Sequence, residues 1–260
     1  MSANAYDELA PFYVEHARTR AVYCNAVDRY VLEWAPEARR AMLDVGSGDG
    51  GRAVRLAESL SATRLTLSDP SPLMARQCRA QGGAEVWPIA AEAIPTDTPE
   101  FDLVTCLWNV LGAVEGAARR LEALRRMGSC LAPGGRIVID VHNRYDLSAA
   151  GAGRVLARVA RDIIRPSASN GSVAFTWRVG GQQIAARGYL FTLREMRQLF
   201  RDAGLTVVRQ AFVDYEDGRA RGAWTGQMLF CLEVVSSRDG GAATGRVRRA
   251  WTRRASVRRR

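Results

Sequence analysis

The segment Leu43-Asp-Val-Gly-Ser-Gly-Asp-Gly50 puts a carboxylate and three glycines where an apolar run gives way to a helical pattern. Glycine lets the backbone pass close to a ligand, because any Cβ would stand in the way. Gly46, Ser47 and Gly48 are therefore candidate ligand-binding residues. The literal spacing Gly46-x-Gly48-x-x-Gly51 also satisfies the dinucleotide fingerprint, so the glycines alone do not choose a cofactor, and an NAD-dependent oxidoreductase is one alternative. The acids narrow the choice. Asp44 stands two positions before the first glycine, where nicotinamide-binding strands usually continue with an apolar residue. A carboxylate at a strand end suits a ligand carrying an ammonium group, since burying it without a cation or hydrogen-bond donors is costly. Asp69 follows the next apolar run, about 20 residues on, where it can accept hydrogen bonds from both ribose hydroxyls. Its ordinary alternative is a helix cap before Pro70 and Ser71.

The elements that must hold these residues follow from periodicity. Ala41–Val45 and Arg64–Ser68 read as strands, with further strands over 84–89, 101–107 and 136–141. Helices are expected between them, over 52–60 with Val54, Leu56 and Leu60 inward, and over Pro72–Ala80. Leu121, Leu124 and Leu131 give a third helical stripe, with Arg119, Arg120, Arg125 and Arg126 on its wet side. Such alternation predicts a parallel sheet wrapped by helices. Later, residues 149–165 read as an amphipathic helix carrying Val155, Leu156, Val159, Ile163 and Ile164. Gly180-Gly181 joins two runs as a hairpin, Thr192 and Glu195 form a capping box, and Leu205–Val213 and 226–235 are two more strands.

Charge is unevenly spread. The chain has 260 residues, a net charge of +10 and no lysine. Residues 238–260 hold nine arginines against the single acid Asp239, so the rest is close to neutral. That Gly/Ala/Arg-rich tail, 237–260, cannot bury a core and is expected to be disordered. Five scattered cysteines with no C-x-x-C pair and only two histidines point to neither a disulfide framework nor a metal site. No apolar run approaches membrane length and the first residues do not read as a secretory signal, so a cytoplasmic protein without membrane association is expected.

The ordered set of segments resembles the class I S-adenosylmethionine-dependent methyltransferases. Besides 43–50 the set comprises Ser68-Asp-Pro-Ser-Pro-Leu-Met74, Ala91-Glu-Ala-Ile-Pro95, Glu100-Phe-Asp-Leu-Val104 and Leu131-Ala-Pro-Gly-Gly-Arg-Ile-Val-Ile139. The resemblance implies a Rossmann-like, doubly wound α/β fold with seven strands, the last antiparallel. It implies residues 1–40 as an amino-terminal helical cover, 41–236 as the cofactor-binding methyltransferase domain, and 148–190 as an inserted lid or a homodimer contact. It also implies S-adenosylmethionine as cofactor, with Gly46, Ser47 and Gly48 at its methionine portion and Asp44 near its amino group. Asp69 would hold the ribose. Pro70 and Leu73 or Met74 would flank the adenine, Leu107 would also contact the cofactor, and the backbone of Ala91 or Glu92 would meet the adenine amino group, since Ala90 replaces the acid many members carry there. Tyr6 and Tyr13 match members whose first helices close over the cofactor.

In such sheets ligands sit at the carboxyl ends of the strands. Candidate acceptor-site residues are therefore Trp108 and Asn109 after the fourth strand, and His142, Asn143 and Tyr145 after the fifth. His142 is the first candidate for a base and His16 the second. The expected reaction is in-line methyl transfer to an oxygen or nitrogen of a small molecule, of the natural-product or sugar-intermediate kind. An RNA methyltransferase using the Arg-rich tail is the rival, disfavoured because Cys106-Leu-Trp-Asn109 lacks the Pro-Pro-aromatic segment of base-modifying enzymes and the body is nearly neutral.

Overall fold

The computed structural model describes residues 3–97 and 100–235; the expected tail at 237–260 lies outside the described residues. The chain opens with helices α1 (Ala3–Leu9), α2 (Tyr13–Arg18) and α3 (Ala21–Trp34). It continues as β1 (Ala41–Val45), α4 (Gly51–Leu60), β2 (Arg64–Ser68), α5 (Pro72–Ala80), β3 (Glu85–Trp87) and β4 (Phe101–Cys106). Then come α6 (Val110–Ala113), α7 (Ala117–Ser129), β5 (Leu131–Val141), α8 (Leu147–Ala150) and α9 (Ala152–Ile164). The last elements are β6 (Ser172–Val179), β7 (Gln182–Tyr189), α10 (Leu193–Asp202), β8 (Leu205–Val213) and β9 (Gln227–Val234).

Seven of these strands form one sheet in the order β3-β2-β1-β4-β5-β9-β8. β1 pairs in parallel with β2 and β4, and β9 runs antiparallel to both β5 and β8, so the last strand is the reversed one. The sheet is covered on both faces, which requires strands apolar on both sides. Along β5, Ile137, Ile139 and Val141 face Leu124, Met127, Met196 and Phe200, while Val138 faces the opposite cluster containing Val27, Val31, Leu56 and Leu60. Strand order reverses between β1 and β4, and the crevice at the carboxyl ends of these two strands is where such sheets receive ligands.

The hairpin of β6 and β7 is a separate two-stranded sheet, turning at Gly180 (φ +56°) and Gly181 (φ +72°), both in the left-handed region that a two-residue turn uses. Its inner face, Ile184 and Ala186, packs with Leu9, Ala10 and Met74. The inserted segment and the amino-terminal helices therefore meet over the sheet. Arg144, only 3% exposed, ties the insertion down: it donates to Asp162 of α9 (2.8 Å), to Glu195 of α10 (2.7 Å) and to the Leu190 carbonyl (3.1 Å).

Several local readings need correction. Residues 149–165 are two helices, interrupted at Gly151 (φ +80°), and of their apolar stripe Val155 is buried while Leu156, Ile163 and Ile164 are exposed. Arg120 is not on a wet face. It is 7% exposed, with its guanidinium 3.7 Å from the Tyr189 ring centre and its Nε donating to the Val114 carbonyl, because β7 folds back across the start of α7. In α4 the inward positions include Ala53 and Ala57, and Val54 is half-buried. β3 is shorter than expected, and β5 starts five residues early, at Leu131, which pairs with Phe101, while the Pro-Gly-Gly segment lies in the register shift before Arg136 pairs with Leu103. All five cysteines are buried, and none forms a disulfide among the described residues. No helix among the described residues is long and apolar enough to cross a membrane.

The capping box forms as expected: the Glu195 amide donates to the Thr192 hydroxyl (3.1 Å), and the Thr192 amide to the Glu195 carboxylate (2.7 Å). Replacing Thr192 by alanine is expected to cost about 1 kcal/mol, a fall of roughly 2–4 °C in Tm for a chain of this size. Glu195→Ala should lower Tm further, since it removes one arm of the capping box and one of the two carboxylates on Arg144. Thermal unfolding that ranked Glu195→Ala as the milder change would contradict this.

Candidate functional site

Asp44 and Asp69 stand at the tips of neighbouring strands. In the sheet Asp44 is opposite Leu67 and Thr105, and Asp69 directly follows the last residue of β2. Both are nearly buried. Asp44 accepts one hydrogen bond from the Thr105 hydroxyl (2.5 Å), while Ser47 caps the turn by donating to the Asp44 carbonyl (2.9 Å). Asp69 accepts from the backbone amides of Gly48 (3.0 Å) and Ser71 (2.9 Å). Burial drives both carboxyls up to about 6, even though their donors pull the other way. The glycine loop bridges the two: Gly46 (φ +72°) and Gly48 (φ +59°) take conformations that side chains disfavour, and the Gly46 amide donates to the Ser68 carbonyl.

On the other side of the crevice, after β4, two successive non-glycine residues are left-handed, Trp108 (φ +62°) and Asn109 (φ +59°). Such strain costs about 1–3 kcal/mol per residue and persists only where the surroundings impose it. Here Asp140, wholly buried on β5, accepts from the Trp108 amide (2.5 Å) and from the Tyr23 hydroxyl (2.6 Å). Asn109 accepts from the His142 amide (3.0 Å), and the Trp108 indole donates to the Tyr215 hydroxyl (3.0 Å). Trp108 and His142 are thereby fixed beside each other.

A cavity of about 520 Å³ runs between these two sides. Gly46, Gly48, Asp69, Pro70, Ala91, Glu92 and Leu107 line one part of it. His16, Arg20, Trp108, Asn109, His142 and Tyr215 line another, and Tyr6, Tyr13, Phe175 and Trp177 also contribute to the wall. The roof joins the amino-terminal helices to the inserted hairpin: Tyr6 and His16 both contact Trp177, with ring centres 5.3 and 5.7 Å apart. His16 also stacks on Trp108 at 5.3 Å. Tyr6 and Tyr13 hold their phenols well above the ordinary range through burial, reinforced for Tyr6 by Asp69 and for Tyr13 by Asp49, so both are neutral hydrogen-bonding groups.

His142 is half-buried, and its Nε2 is a buried atom with no hydrogen-bond partner among the described residues. Burial, with Arg20 adding to it, lowers its imidazole to about 4. It is thus a neutral ring near pH 7. The same two causes lower His16.

Of the residues expected from sequence, Gly46, Gly48, Asp69, Pro70, Ala91, Glu92, Leu107, Asn109 and His142 are brought together on the cavity wall. Asp44 and Ser47 lie just behind the loop. Met74 is elsewhere: fully buried, it packs with Leu9, Ala10 and the hairpin, and Leu73 beside it is exposed. Asn143 and Tyr145 turn away from the crevice, Asn143 to the carbonyls of Ala223 (2.7 Å) and Gly226 (3.0 Å), Tyr145 to Asp162 (2.7 Å). Arg20, Tyr215, Asp140 and Tyr23 were not legible. They reach the site from the start of α3 and the ends of β5 and β8, and no local motif marks them.

The donor set fits the cofactor that the resemblance implies. Asp44 is a buried carboxylate with no ion-pair partner among the described residues, as an incoming ammonium group requires, and Asp69 lines the cavity with a carboxylate able to meet a diol. Gly51 speaks against a dinucleotide. That fingerprint uses its third glycine for close helix–strand packing, yet a Cβ on Gly51 would meet only side-chain atoms of Asp49 and Arg55 at 3.5–3.7 Å, ordinary contact.

Comparison with known proteins agrees in kind. The sequence model of a family described as "Methyltransferase domain" matches residues 13–210. No curated protein sequence matches the chain. Among solved structures, the CcbJ methyltransferase from Streptomyces caelestis is similar with a TM-score of 0.62 at 14% identity, over 82% of this chain and 90% of its own. An S-adenosylmethionine-dependent methyltransferase from Clostridium acetobutylicum ATCC 824 gives 0.58 at 13% identity, over 83% and 92%. CalS10, an amino pentose methyltransferase from Micromonospora echinaspora solved with S-adenosylmethionine bound, gives 0.56 at 18% identity, over 85% and 95%.

The loop geometry makes a direct prediction. Gly46→Ala should be strongly destabilising, combining a left-handed Cβ (about 1–2 kcal/mol) with overlap of the Val110 side chain at 2.5 Å. Gly51→Ala should be neutral or slightly stabilising in thermal unfolding. Equal effects at the two positions would mean that the loop is not built as described.

Proposed function

The chain belongs to the methyltransferase-domain family and is an S-adenosylmethionine-dependent methyltransferase, and on that premise we propose that it methylates an oxygen or nitrogen of a small molecule held beside His142. The observation that carries this reading is the single cavity of about 520 Å³ joining Asp69 and the glycine loop to His142, roofed by the protein's own helices and hairpin. Its size is that of a small-ligand site, of order 300–1,000 Å³, and its aromatic lining suits a compact organic acceptor. Similarity to CalS10, which acts on an amino pentose in calicheamicin biosynthesis, supports an acceptor of the natural-product or sugar kind.

When bound, S-adenosylmethionine supplies a methyl group already activated by its sulfonium. The chain's work is therefore alignment, which for well-oriented partners is worth about 7–11 kcal/mol. We assign Asp44 to the amino group and Asp69 to the ribose hydroxyls. Gly46, Ser47 and Gly48 shape the methionine end, while Pro70 and Leu107 are the apolar walls of the adenine and Ala91 and Glu92 offer backbone groups to it. Asn109 holds the His142 backbone, and the neutral imidazole accepts a hydrogen bond from the acceptor. The amino-terminal helices up to residue 40 and the insertion over 148–190 act as the cover that keeps water from the reacting atoms.

Isothermal titration tests the assignment of the carboxylates. Asp69→Asn should weaken S-adenosylmethionine binding about tenfold or more, the worth of charge-assisted hydrogen bonds. In the unaltered protein affinity should fall as pH drops from 7 to 5, because carboxyls near 6 must give up their protons to bind. The same protonation favours the folded apo state, whose buried carboxyls bind protons more readily than unfolded ones, so loss of affinity should come without loss of Tm. Unchanged affinity in Asp69→Asn would refute the assignment.

A further inference from the structure

We infer that the methyl acceptor is a hydroxylated ring compound bearing a carboxylate, with the carboxylate on Arg20 and the hydroxyl at His142; this rests on the methyltransferase reading above. Three features of the acceptor half of the cavity lead there. First, its charge has one sign. His16, Arg20, Trp108, Asn109, His142 and Tyr215 bring a guanidinium to this wall and no carboxylate. The acids that line the cavity are Asp69 beside the glycine loop, Glu92, which is ion-paired to Arg119, and Glu115 next to the start of α7. Apart from Glu216, which already pairs with Arg20 from outside the lining, an amine acceptor would meet no carboxylate on this wall.

Second, Arg20 is held over the cavity while its own ion pair is weak. The guanidinium carbon lies 4.7 Å from the Tyr215 ring centre, which fixes the side chain against the wall. Its carboxylate partner is Glu216 at 2.7 Å, whose side chain is 77% exposed. A pair so open to water is worth about 0–1 kcal/mol, so a carboxylate arriving from inside a partly dry cavity can replace it. Glu216 also shows that the guanidinium accepts a carboxylate in this position.

Third, the remaining groups select shape and orientation. Trp108 spends its indole N–H on Tyr215 and stacks on His16 at 5.3 Å, so what it and His16 bring to the cavity wall is aromatic surface suited to a ring. The Nε2 of His142 is buried without a partner among the described residues, a state that buried polar atoms rarely keep unless a ligand or water completes it. A hydroxyl is the group that donates to it. In the reaction the hydroxyl oxygen forms its bond to the methyl carbon, the carbon–sulfur bond breaks with its electron pair left on sulfur, and the hydroxyl proton passes to His142 and on to solvent. An anion on Arg20 assists, because it offsets a charge that makes protonation of His142 harder.

Three probes of one shape separate the signs: 4-hydroxybenzoate, 4-hydroxybenzamide and 4-hydroxybenzylamine, titrated into the full chain saturated with S-adenosylhomocysteine. Saturation itself is measured first, so that failure of the methyltransferase reading shows as absent nucleoside binding, separately from failure of this inference. The benzoate is expected to bind at least about tenfold more tightly than the amide, the worth of one charge-assisted pair, and the benzylamine more weakly still. Arg20→Gln should abolish the preference while leaving S-adenosylhomocysteine affinity unchanged, and Arg20→Lys should keep part of it. Glu216→Gln, which removes the competing carboxylate, should tighten benzoate binding a few-fold. Equal binding of the three, preference for the benzylamine, binding of none, or a benzoate preference that survives Arg20→Gln would each overturn the inference.

Discussion

A carboxylate at the end of a buried parallel strand must be neutralised by a cation, satisfied by hydrogen-bond donors or protonated. Asp44 and Asp69 meet this constraint with donors alone, and incompletely, which is why burial still holds both near 6. The rest of the site is arranged around that unresolved charge. The glycine loop turns the Gly48 amide toward Asp69, and its left-handed glycines let the Val110 and Tyr13 side chains close against the backbone. On the proposed assignment, a cationic, diol-bearing ligand would remove this cost.

The same elements that shield the carboxylates finish the opposite wall. Helix α3 sends the Tyr23 hydroxyl under the sheet to Asp140, and Asp140 in turn holds the left-handed turn at Trp108. The insertion reaches the amino-terminal helices through Trp177 and is anchored behind by Arg144, which ties α9 and α10 together. Enclosure of the cavity and placement of Trp108 and His142 are therefore one structural fact. A change that loosened the cover would be felt at the reacting atoms, since alignment is what this kind of catalysis consumes.

Much of this was legible in the sequence because it is local. Strands buried on both faces read as apolar runs, a strand-to-helix turn reads as glycines, and Asp44 and Asp69 are placed by their distance from those glycines. What depends on tertiary neighbours was not legible. Arg120 lies on a helix face that looks solvated until β7 crosses it. Asn143 and Tyr145 adjoin His142 in sequence, yet the chain leaves β5 so that their side chains serve the β9 junction and α9 instead. Met74, one turn from Pro70, belongs to the packing of the cover. Arg20 and Tyr215 reach the cavity only because the start of α3 and the end of β8 are packed together.

The central claim, that two neighbouring strand tips grip opposite ends of the cofactor, is tested most directly by a crystal structure with S-adenosylhomocysteine. The account predicts the ribose hydroxyls within hydrogen-bond distance of the Asp69 carboxylate and the amino group facing Asp44 across the Gly46–Gly48 turn. A nucleoside bound elsewhere, with Asp44 and Asp69 still satisfied only by Thr105, Gly48 and Ser71, would contradict it.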